Sequence, residues 1–241
     1  MIIDEVQDFD ADRINSFQNK AKKALMLFGD TAQLLYEKGT PMSEVENITK
    51  LQTYSLKNNY RLTQVVAKFA QNVLPNSERD FSIVDKCKRE GDLPIVRNCK
   101  DPEDEMHYIV KQLKEGITSV TILLSNNTLV NSVYQYLNEN GQTAEVKMTI
   151  ENDNGGTTKI DTLDFRTNNP KIMTYHSSKG LQFKNVFLPF CDMRDSSSQF
   201  RRALYVAMTR TSHNLYISYN PLNPLSEYIE NVPSNLYNRI R

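Results

Sequence analysis

Val120–Leu124, with the sequence VTILL, is a run of five apolar and β-branched residues, and such a run is typical of a strand buried in a sheet. Immediately downstream, Leu129, Val133 and Leu137 recur at the spacing of one helix face, and Gly141 follows as a helix-ending residue. A buried strand followed by an amphipathic helix is the repeating unit of α/β folds. This stretch therefore predicts a parallel sheet with helices packed on its faces.

The same alternation continues on both sides of this unit. Asp101 and Pro102 predict the start of another helix, because aspartate caps a helix N-terminus and proline suits its first turn. Strands that alternate with helices predict an α/β fold with a mostly parallel sheet, whose ligands bind at the carboxyl ends of the strands. Helical spacings occur at residues 66–73, 106–113 and 200–208, and short apolar runs occur at residues 2–3, 24–28, 172–175, 186–188 and 215–219.

The clearest loop is the polar, glycine-containing stretch ENDNGGTT at residues 151–158. Asn154-Gly155 lies within it and is flanked by residues of strand character. Because an Asn-Gly pair adopts the positive backbone angles of a tight turn at little cost, it predicts a β-hairpin here.

Composition excludes several classes of protein. The chain has 29 basic and 29 acidic residues, so no global positive field points to nucleic acid, and any such site has to be a local patch. Cys87, Cys99 and Cys191 form no CxxC pair, which argues against a zinc site or a disulfide framework and favours a reducing, cytoplasmic compartment. No apolar run approaches the roughly 20 residues that span a bilayer, and residues 1–5 lack the features of a signal peptide, so no membrane partner is expected.

Two short polar motifs follow predicted strands in the first part of the chain. DEVQD, at residues 4–8, places two adjacent carboxylates after an apolar pair. A nucleotide hydrolase needs such a pair, because one carboxylate holds Mg²⁺ and the next orients and deprotonates the attacking water. GDTAQ, at residues 29–33, places an amide three residues after a Gly-Asp pair, within reach of a terminal phosphate. The alternatives are a solvated acidic turn and a plain strand-to-helix turn with an aspartate cap.

Three further motifs carry hydroxyl, aromatic or basic groups. NYR, at residues 59–61, offers an aromatic face beside a guanidinium, and its alternative is the start of a helix. TYHSSKGLQF, at residues 174–183, is a polar insertion between two apolar strands and suits phosphate binding through hydroxyl and backbone N–H groups. RRALYVAMTR, at residues 201–210, predicts a helix that ends at Arg210. That arginine projects into a neighbouring site as an arginine finger, or the helix is simply a basic surface helix.

In this order and wording, the five motifs resemble motifs II to VI of the UvrD/Rep-like superfamily 1 helicases, and the match runs from Asp4 to Arg210. The resemblance implies a RecA-like α/β fold of the P-loop NTPase type, in which two motor domains bind ATP and single-stranded DNA. It assigns residues 1–55 to the remnant of the first motor domain, with motifs II and III. Residues 56–241 would form a complete second motor domain, with motifs IV to VI. Residues 146–169 are too few for the insertion domain of larger members, so this would be a compact member.

The resemblance also implies roles in ATP hydrolysis. Asp4 is expected to hold Mg²⁺ through water, and Glu5 is expected to act as the general base. Gln33 is expected to sense the γ-phosphate and Arg61 to reach it, while Arg210 corresponds to the second arginine finger.

Other positions correspond to residues that bind the rest of the nucleotide. Tyr60 is expected to stack near the adenine. Gln182 stands where the family usually has a glutamate that contacts the ribose, so a hydrogen-bonding group is kept but its charge is lost. Lys179 and Gly180 are grouped with these nucleotide-binding positions and are expected to shape the loop that carries Thr174 and His176.

For DNA, the resemblance implies contacts from Thr174 and His176. The family often has a tryptophan after its third motif that stacks on DNA bases, and this chain has no tryptophan. Tyr36 is the weak substitute that the sequence offers.

The phosphate-binding loop of the family, GxxxxGK[ST], occurs nowhere in the sequence, and in the family it precedes motif II. We therefore expect ATP and Mg²⁺ to be cofactors of the intact protein and not to bind tightly to this chain alone. The chain is then expected to be a fragment of an ATP-dependent helicase that moves on single-stranded DNA. It would be inactive without its N-terminal motor half.

Two other interpretations remain open. In one, the chain is a non-enzymatic module that binds nucleic acid or another protein, and its hydrolytic residues are idle. In the other, it is half of a split motor, and the P-loop half is a separate polypeptide. Ile2, Ile3 and the strand at residues 24–28 would then form the interface.

Overall fold

This computed structural model describes residues 1–34, 38–152, 155–192 and 197–240. Tyr36 and Asn154 therefore lie outside the described residues. The chain divides into two compact units, residues 1–57 and residues 58–241. We call them the small region and the large region. The division falls two residues after the boundary expected from the sequence, and the origin of the small region as part of a first motor domain stays a prediction.

The described residues of the small region form two short strands and two helices. Its strands pair in parallel, with Ile2 opposite Met26. Helix α1 begins at Asp10, whose carboxylate accepts a hydrogen bond from the backbone N–H of Arg13 at 2.8 Å. In chain order the elements are β1 (Ile2–Ile3), α1 (Ala11–Lys20), β2 (Met26–Leu27) and α2 (Met42–Thr49).

Only one face of the β1–β2 pair is covered. Ile3 and Leu27 pack against a core of three buried residues, Val6, Ile14 and Val45. The sequence predicted a buried parallel strand at residues 24–28. The parallel pairing is confirmed, but the prediction that the strand is buried is wrong. Strand side chains alternate between faces, and both helices supply their core residues to the same face. The opposite face stays exposed, with Ile2, Met26 and Phe28 at 70%, 53% and 48% exposure.

The large region follows the predicted alternation of strands and helices. Its elements are β3 (Asn59–Thr63), α3 (Gln64–Val73), α4 (Ser82–Lys86), β4 (Cys87–Arg89), β5 (Ile95–Asn98), α5 (Pro102–Lys114), β6 (Val120–Leu124), α6 (Asn127–Glu139), β7 (Glu145–Glu151), β8 (Thr157–Asp161), β9 (Lys171–Thr174), β10 (Phe183–Leu188), α7 (Ser198–Met208), β11 (Thr211–Tyr219), α8 (Glu227–Glu230) and β12 (Asn238–Ile240).

Eight of these strands form one sheet in the order β12-β5-β11-β10-β6-β9-β7-β8. Every neighbouring pair is parallel except β7–β8, which is the antiparallel hairpin predicted around Gly155. Strands β3 and β4 form a separate parallel pair. The predicted α/β fold with a mostly parallel sheet and flanking helices is confirmed.

The core of the large region surrounds β6, whose five residues are all buried. Ile122 and Leu124 pack with buried residues of α5 and α6, such as Ile109 and Val133. Leu123 points to the other side of the strand and is also fully buried. Both faces of the sheet are therefore covered, which explains why the strand lacks polar alternation.

Helix ends in the large region are set by short polar side chains and glycines. Thr63, Asp101, Asn126 and Ser197 each precede a helix and accept a backbone N–H from three residues ahead. Gly116 follows α5 at a φ of 99°, a left-handed angle that favours glycine. None of the helices in the described part of the chain is long and apolar enough to cross a membrane.

The three cysteines are buried, reduced and distributed over three elements of the large region. Cys87 begins β4, Cys99 follows β5, and Cys191 follows β10. Burial raises the pKa of all three thiols, to about 12 for Cys99, where the nearby Glu105 carboxylate adds to the effect. Their side chains are thus part of the core.

Candidate functional site

The carboxylate motif DEVQD lies where β1 gives way to a short turn of 3-10 helix at residues 6–8. Asp4 is exposed, and one of its carboxylate oxygens accepts a hydrogen bond from the backbone N–H of Glu5 at 2.9 Å. Glu5 has a left-handed backbone, with φ of 52°, which is uncommon for a residue with a side chain. The N–H of Val6 donates a hydrogen bond to the carbonyl of Phe28 at 2.9 Å, which ties the turn to the residue that follows β2.

A line of side-chain hydrogen bonds connects DEVQD with GDTAQ. The Nε2 of Gln7 donates to Oε2 of Glu5 at 2.5 Å. The Oε1 of Gln7 accepts from the backbone N–H of Asp30 at 3.1 Å, and Nε2 of Gln33 donates to Oδ2 of Asp30 at 3.1 Å. Glu5, the expected general base, is therefore linked through Gln7 and Asp30 to Gln33, the expected sensor of the γ-phosphate. Their assignment to ATP hydrolysis stays a prediction.

Gly29 is required by the close packing around this line of hydrogen bonds. A Cβ atom at Gly29 would lie 2.6 Å from Oε1 of Gln7, 2.6 Å from Sδ of Met42 and 2.9 Å from Cγ1 of Val6. These separations are well below the contact distance of about 3.5 Å between non-bonded atoms. The glycine of GDTAQ thus serves the approach of the Gln7 amide to the backbone of Asp30.

The NYR motif presents its tyrosine and arginine to solvent. The side-chain oxygen of Asn59 accepts hydrogen bonds from the N–H groups of Arg61 and Leu62, at 2.9 and 3.0 Å, and so fixes the backbone at the start of β3. Tyr60 is 68% exposed and Arg61 is also exposed, while Leu62 is buried. Both side chains that the sequence assigned to nucleotide binding are therefore available at the surface of the large region.

Thr174 closes the turn that follows β9. Its hydroxyl accepts from the backbone N–H of Ser177 at 3.1 Å and donates to the Ser177 hydroxyl at 3.0 Å. Tyr175 is buried, whereas His176 is exposed. Thr174 thus shapes the turn at the carboxyl edge of the sheet, and this turn presents the imidazole of His176.

Residues 176–182 then return to the opposite edge of the sheet, where β10 begins. We call residues 174–183 the crossing segment. Gly180 adopts a φ of 77°, Lys179 is half-buried, and Gln182 is exposed. The predicted DNA-contacting residues therefore lie at the carboxyl edge, and Gln182 lies at the amino edge of the same sheet.

Arg210 lies at this amino edge, next to the end of the crossing segment. Its carbonyl accepts from the N–H of Phe183 at 2.8 Å. Its guanidinium donates to the carbonyl of Val206 at 3.1 Å, the carbonyl of Leu181 at 3.5 Å and the hydroxyl of Thr209 at 3.2 Å. Arg210 is only 8% exposed, so its side chain lies against its own chain. The arginine-finger role stays a prediction.

The two arginines at the start of RRALYVAMTR have structural partners. Arg202 forms a two-point ion pair with Glu78, at 2.6 and 2.9 Å, and this contact raises the pKa of Arg202. Nε of Arg201 donates to the carbonyl of Val73 at 2.6 Å, at the C-terminal end of α3, where a positive charge is favourable. Arg201 and Arg202 therefore connect α7 with the end of α3 and the turn after it, and Arg202 does so from the surface.

A buried carboxylate was not predicted from the sequence. Glu105 in α5 accepts hydrogen bonds from the N–H of Phe190 at 2.8 Å and the hydroxyl of Ser218 at 2.5 Å. Burial raises the pKa of Glu105 to about 7, helped by the negative charges of Asp192 and Asp104, although the two hydrogen bonds act in the opposite direction. The sequence carried one indication that Glu105 is buried. Glu105 lies three residues before Tyr108 and therefore on the buried face of α5.

Comparison with known families covers most of the large region. Residues 54–155 match one family model for the UvrD-like helicase C-terminal domain, and residues 171–218 match a second model with the same description. These stretches contain NYR, TYHSSKGLQF and RRALYVAMTR, whereas DEVQD and GDTAQ lie outside them.

Among solved structures, the chain is similar to the C-terminal domain of a possible DNA helicase from Lactobacillus plantarum WCFS1. The TM-score is 0.53 and the sequence identity is 21%, over 75% of this chain and 98% of that one. At this identity the likeness shows the fold. None of the curated proteins matches the sequence.

Proposed function

Because this chain carries the C-terminal domain of UvrD-like helicases in residues 54–155 and 171–218, we propose that it works as part of an ATP-dependent motor on single-stranded DNA. The observation that carries the proposal is the crossing segment. It joins Thr174 and His176, at one edge of the sheet, to Gln182 and Arg210 at the other. The proposed nucleotide-binding residues thus lie at one end of the segment and the proposed DNA-binding residues at the other. Such a connection would allow ATP hydrolysis to be coupled to movement on DNA.

The donor set of the small region fits magnesium. Asp4 is an exposed carboxylate, and Mg²⁺ in nucleotide sites is typically held by one or two carboxylates, waters and phosphate oxygens. We propose that Asp4 holds the ion through water, which would polarise the terminal phosphate. Glu5, oriented by Gln7, would accept a proton from the attacking water, and Gln33 would contact the terminal phosphate.

ATP itself requires more than these residues provide. Tyr60 and Arg61 are exposed and suited to stacking on a base and to binding phosphate. The backbone cradle of a P-loop has no counterpart in the sequence. We propose that an additional motor half, on the same or a separate polypeptide, supplies the cradle, and that the motor works in the cytoplasm.

For DNA, we assign the contact to His176 and its turn. The net charge of zero gives the chain no general attraction for nucleic acid, so binding has to come from local groups. The imidazole of His176 is exposed, and the hydrogen bond from the Ser177 N–H to the Thr174 hydroxyl holds the turn that presents it.

The DNA assignment is tested by fluorescence anisotropy of a labelled single-stranded oligonucleotide at low and at physiological salt. We expect His176→Ala to weaken binding by about tenfold, as for one lost contact of 1–2 kcal/mol. His107→Ala is the matched control, since His107 is exposed on α5. Equal affinity in all three proteins, or no binding at low salt, would overturn the assignment.

Nucleotide binding is tested by titrating a labelled ATP analogue with Mg²⁺, with and without the oligonucleotide. We expect no binding below millimolar nucleotide by this chain, and micromolar binding once the P-loop half is supplied. Arg61→Ala should then weaken binding, while Lys88→Ala, at an exposed basic residue of β4, should not. DNA-stimulated release of phosphate from ATP by the chain together with the P-loop half would support hydrolysis coupled to DNA binding.

A binding module without hydrolysis is the second candidate. The observation that favours it is the position of the Arg210 guanidinium, which hydrogen-bonds to Val206, Leu181 and Thr209. DNA binding without ATP hydrolysis in the presence of the P-loop half would select this candidate over the motor.

A further inference from the structure

We propose that Gln7 is a positioning residue whose side-chain amide orients the Glu5 carboxylate and couples it to the GDTAQ loop. The inference deepens the proposed function, because it takes Glu5 as the group that activates water. It concerns a residue to which neither the sequence motifs nor the comparisons assigned a role.

The orientation of the Gln7 amide is determined by its two partners. The carboxylate of Glu5 can only accept a hydrogen bond when ionised, and the backbone N–H of Asp30 can only donate one. Nε2 therefore has to face Glu5, at 2.5 Å, and Oε1 has to face Asp30, at 3.1 Å. A flipped amide would place an oxygen against a carboxylate and an NH₂ group against an N–H. Both contacts of Gln7 are thus of fixed polarity and cannot be exchanged.

The surroundings of Gln7 hold the amide in place. Gln7 is completely buried, and its backbone carbonyl accepts from the N–H of Thr40 at 2.9 Å. Gly29 lets its Oε1 approach the loop, since a Cβ there would lie 2.6 Å from that oxygen. A buried amide with both ends satisfied is rigid, because breaking either hydrogen bond would leave a polar group without a partner.

The coupling continues beyond Asp30. Oδ2 of Asp30 accepts from Nε2 of Gln33, so the line of contacts runs from Glu5 through Gln7 and Asp30 to Gln33. A change at the Glu5 carboxylate is therefore transmitted to the Gln33 amide through Gln7. In the proposed motor, the group that activates water and the group that contacts the terminal phosphate would be kept in register by this line.

The test uses nuclear magnetic resonance of the ¹⁵N-labelled full chain and requires no nucleotide. Glu5→Ala is expected to shift the side-chain amide resonances of Gln7 and Gln33 and the backbone amide resonance of Asp30. The same substitution in a Gln7→Met background is expected to leave the Gln33 resonance unmoved. Asp12→Ala is the matched control, because it removes an exposed carboxylate of α1 in the same region.

Two substitutions of Gln7 separate its contacts. Gln7→Glu keeps an acceptor for the Asp30 N–H but loses the donor to Glu5. Gln7→Met loses both and should accelerate hydrogen exchange of the Asp30 N–H by roughly tenfold. Gln18→Met, which removes the hydrogen bond from Gln18 to the Thr49 carbonyl in the same region, should leave that exchange rate unchanged.

A Gln33 resonance that ignores Glu5→Ala in the wild-type background, or responds equally in the Gln7→Met background, would overturn the coupling. Should Gln7→Met unfold the small region, Glu5→Ala and Gln7→Glu still give a decisive result, because each keeps the Asp30 contact. The outcome is independent of ATP binding, so failure of the motor proposal and failure of the coupling are distinguished.

Discussion

All five residues of strand β6 in the large region are buried. Strands β1 and β2 of the small region have two residues each, and none of these four is buried. The large region has helices over both faces of an eight-stranded sheet. The small region has a core of three buried residues and leaves Ile2, Met26 and Phe28 exposed. The amount of apolar area removed from water, the main favourable term in folding, is therefore very unequal in the two regions.

This difference shows that the two regions specify their geometry by different means. In the large region, close packing around Ile122 determines where the strands lie. In the small region, the Gln7 amide and its partners determine where Glu5 and Gln33 lie. Polar networks of this kind are sensitive to the loss of one member. Asp4, Glu5 and Gln33, three of the residues proposed for hydrolysis, thus depend on the less strongly packed region.

The largest effect is expected from a cavity in the large core. Ile122→Ala should lower the free energy of unfolding by about 2–5 kcal/mol, because a fully buried side chain loses its contacts and leaves a void. Urea denaturation followed by circular dichroism measures this change. Ile14→Ala is the matched substitution in the small region, where it should speed hydrogen exchange of residues 1–57 alone. If both variants lowered the stability measured in the main urea-denaturation transition by a similar amount, the proposed difference between the two regions would be contradicted.

A pH effect should be specific to the large region. Because the pKa of Glu105 is raised to about 7 from an ordinary value of 4.5, the folded chain binds a proton between these values that the unfolded chain does not. Stability from this group is therefore highest below about pH 4.5 and falls by roughly 3 kcal/mol as pH rises to 7. Glu105→Gln should abolish this component.

The measurement is urea denaturation of the wild type and of Glu105→Gln at pH 5 and pH 8. The difference between the two proteins at each pH cancels the titration of other groups. We expect the wild type to lose stability relative to the variant at pH 8. The same difference at both pH values would mean that Glu105 does not titrate in this window.

Gly29→Ala tests the polar geometry of the small region. The added Cβ would collide with Oε1 of Gln7 and Sδ of Met42, so we expect a loss of about 1–3 kcal/mol, confined to residues 1–57. Hydrogen exchange should accelerate at the Asp30 N–H and stay unchanged in β6. Unchanged exchange at Asp30 would show that the loop accommodates the methyl group without moving Gln7.

The smallest effect compares one helix cap in each region. Asp10 and Asp101 make the same contact, with the N–H of Arg13 or of Asp104 at 2.8 Å. Replacement of each by alanine should cost about 1 kcal/mol. Asp101→Ala should shift the main denaturation transition, and Asp10→Ala should change hydrogen exchange only in the small region. An Asp10→Ala shift in the main transition would show that both regions unfold together.

Much of the large region was predictable because its signals are local. The apolar run at Val120–Leu124, the cap at Asp101 and the glycine after α5 each identify an element without knowledge of its neighbours. Strands β5 and β12 were not predicted. Ile95–Asn98 is short and half polar, and all three residues of β12 are exposed, so pairing in the sheet defines both as strands.

The site shows the same limit. The roles that motif order suggests for Glu5, Gln33 and Thr174 stay predictions, and the sequence does not reveal that Gln7 links Glu5 to the loop of Gln33. That contact depends on residues 23 positions apart in the chain, Gln7 and Asp30. Likewise, the sequence does not reveal that the folded chain holds the Arg210 guanidinium against the carbonyls of Val206 and Leu181.

The positions of the three thiols make their chemical modification a measure of when the large region opens. Cys87, Cys99 and Cys191 all lie in the buried interior of the large region, and residues 1–57 contain no cysteine. A thiol-specific reagent reacts with the thiolate and needs access to the sulfur, so it should modify the native chain only when the large region opens. The rate of thiol modification then measures the rate at which the large region opens and does not depend on opening of the small region. A single cysteine placed at the exposed Tyr60 should accept a fluorescent label immediately, with the three native thiols left in place.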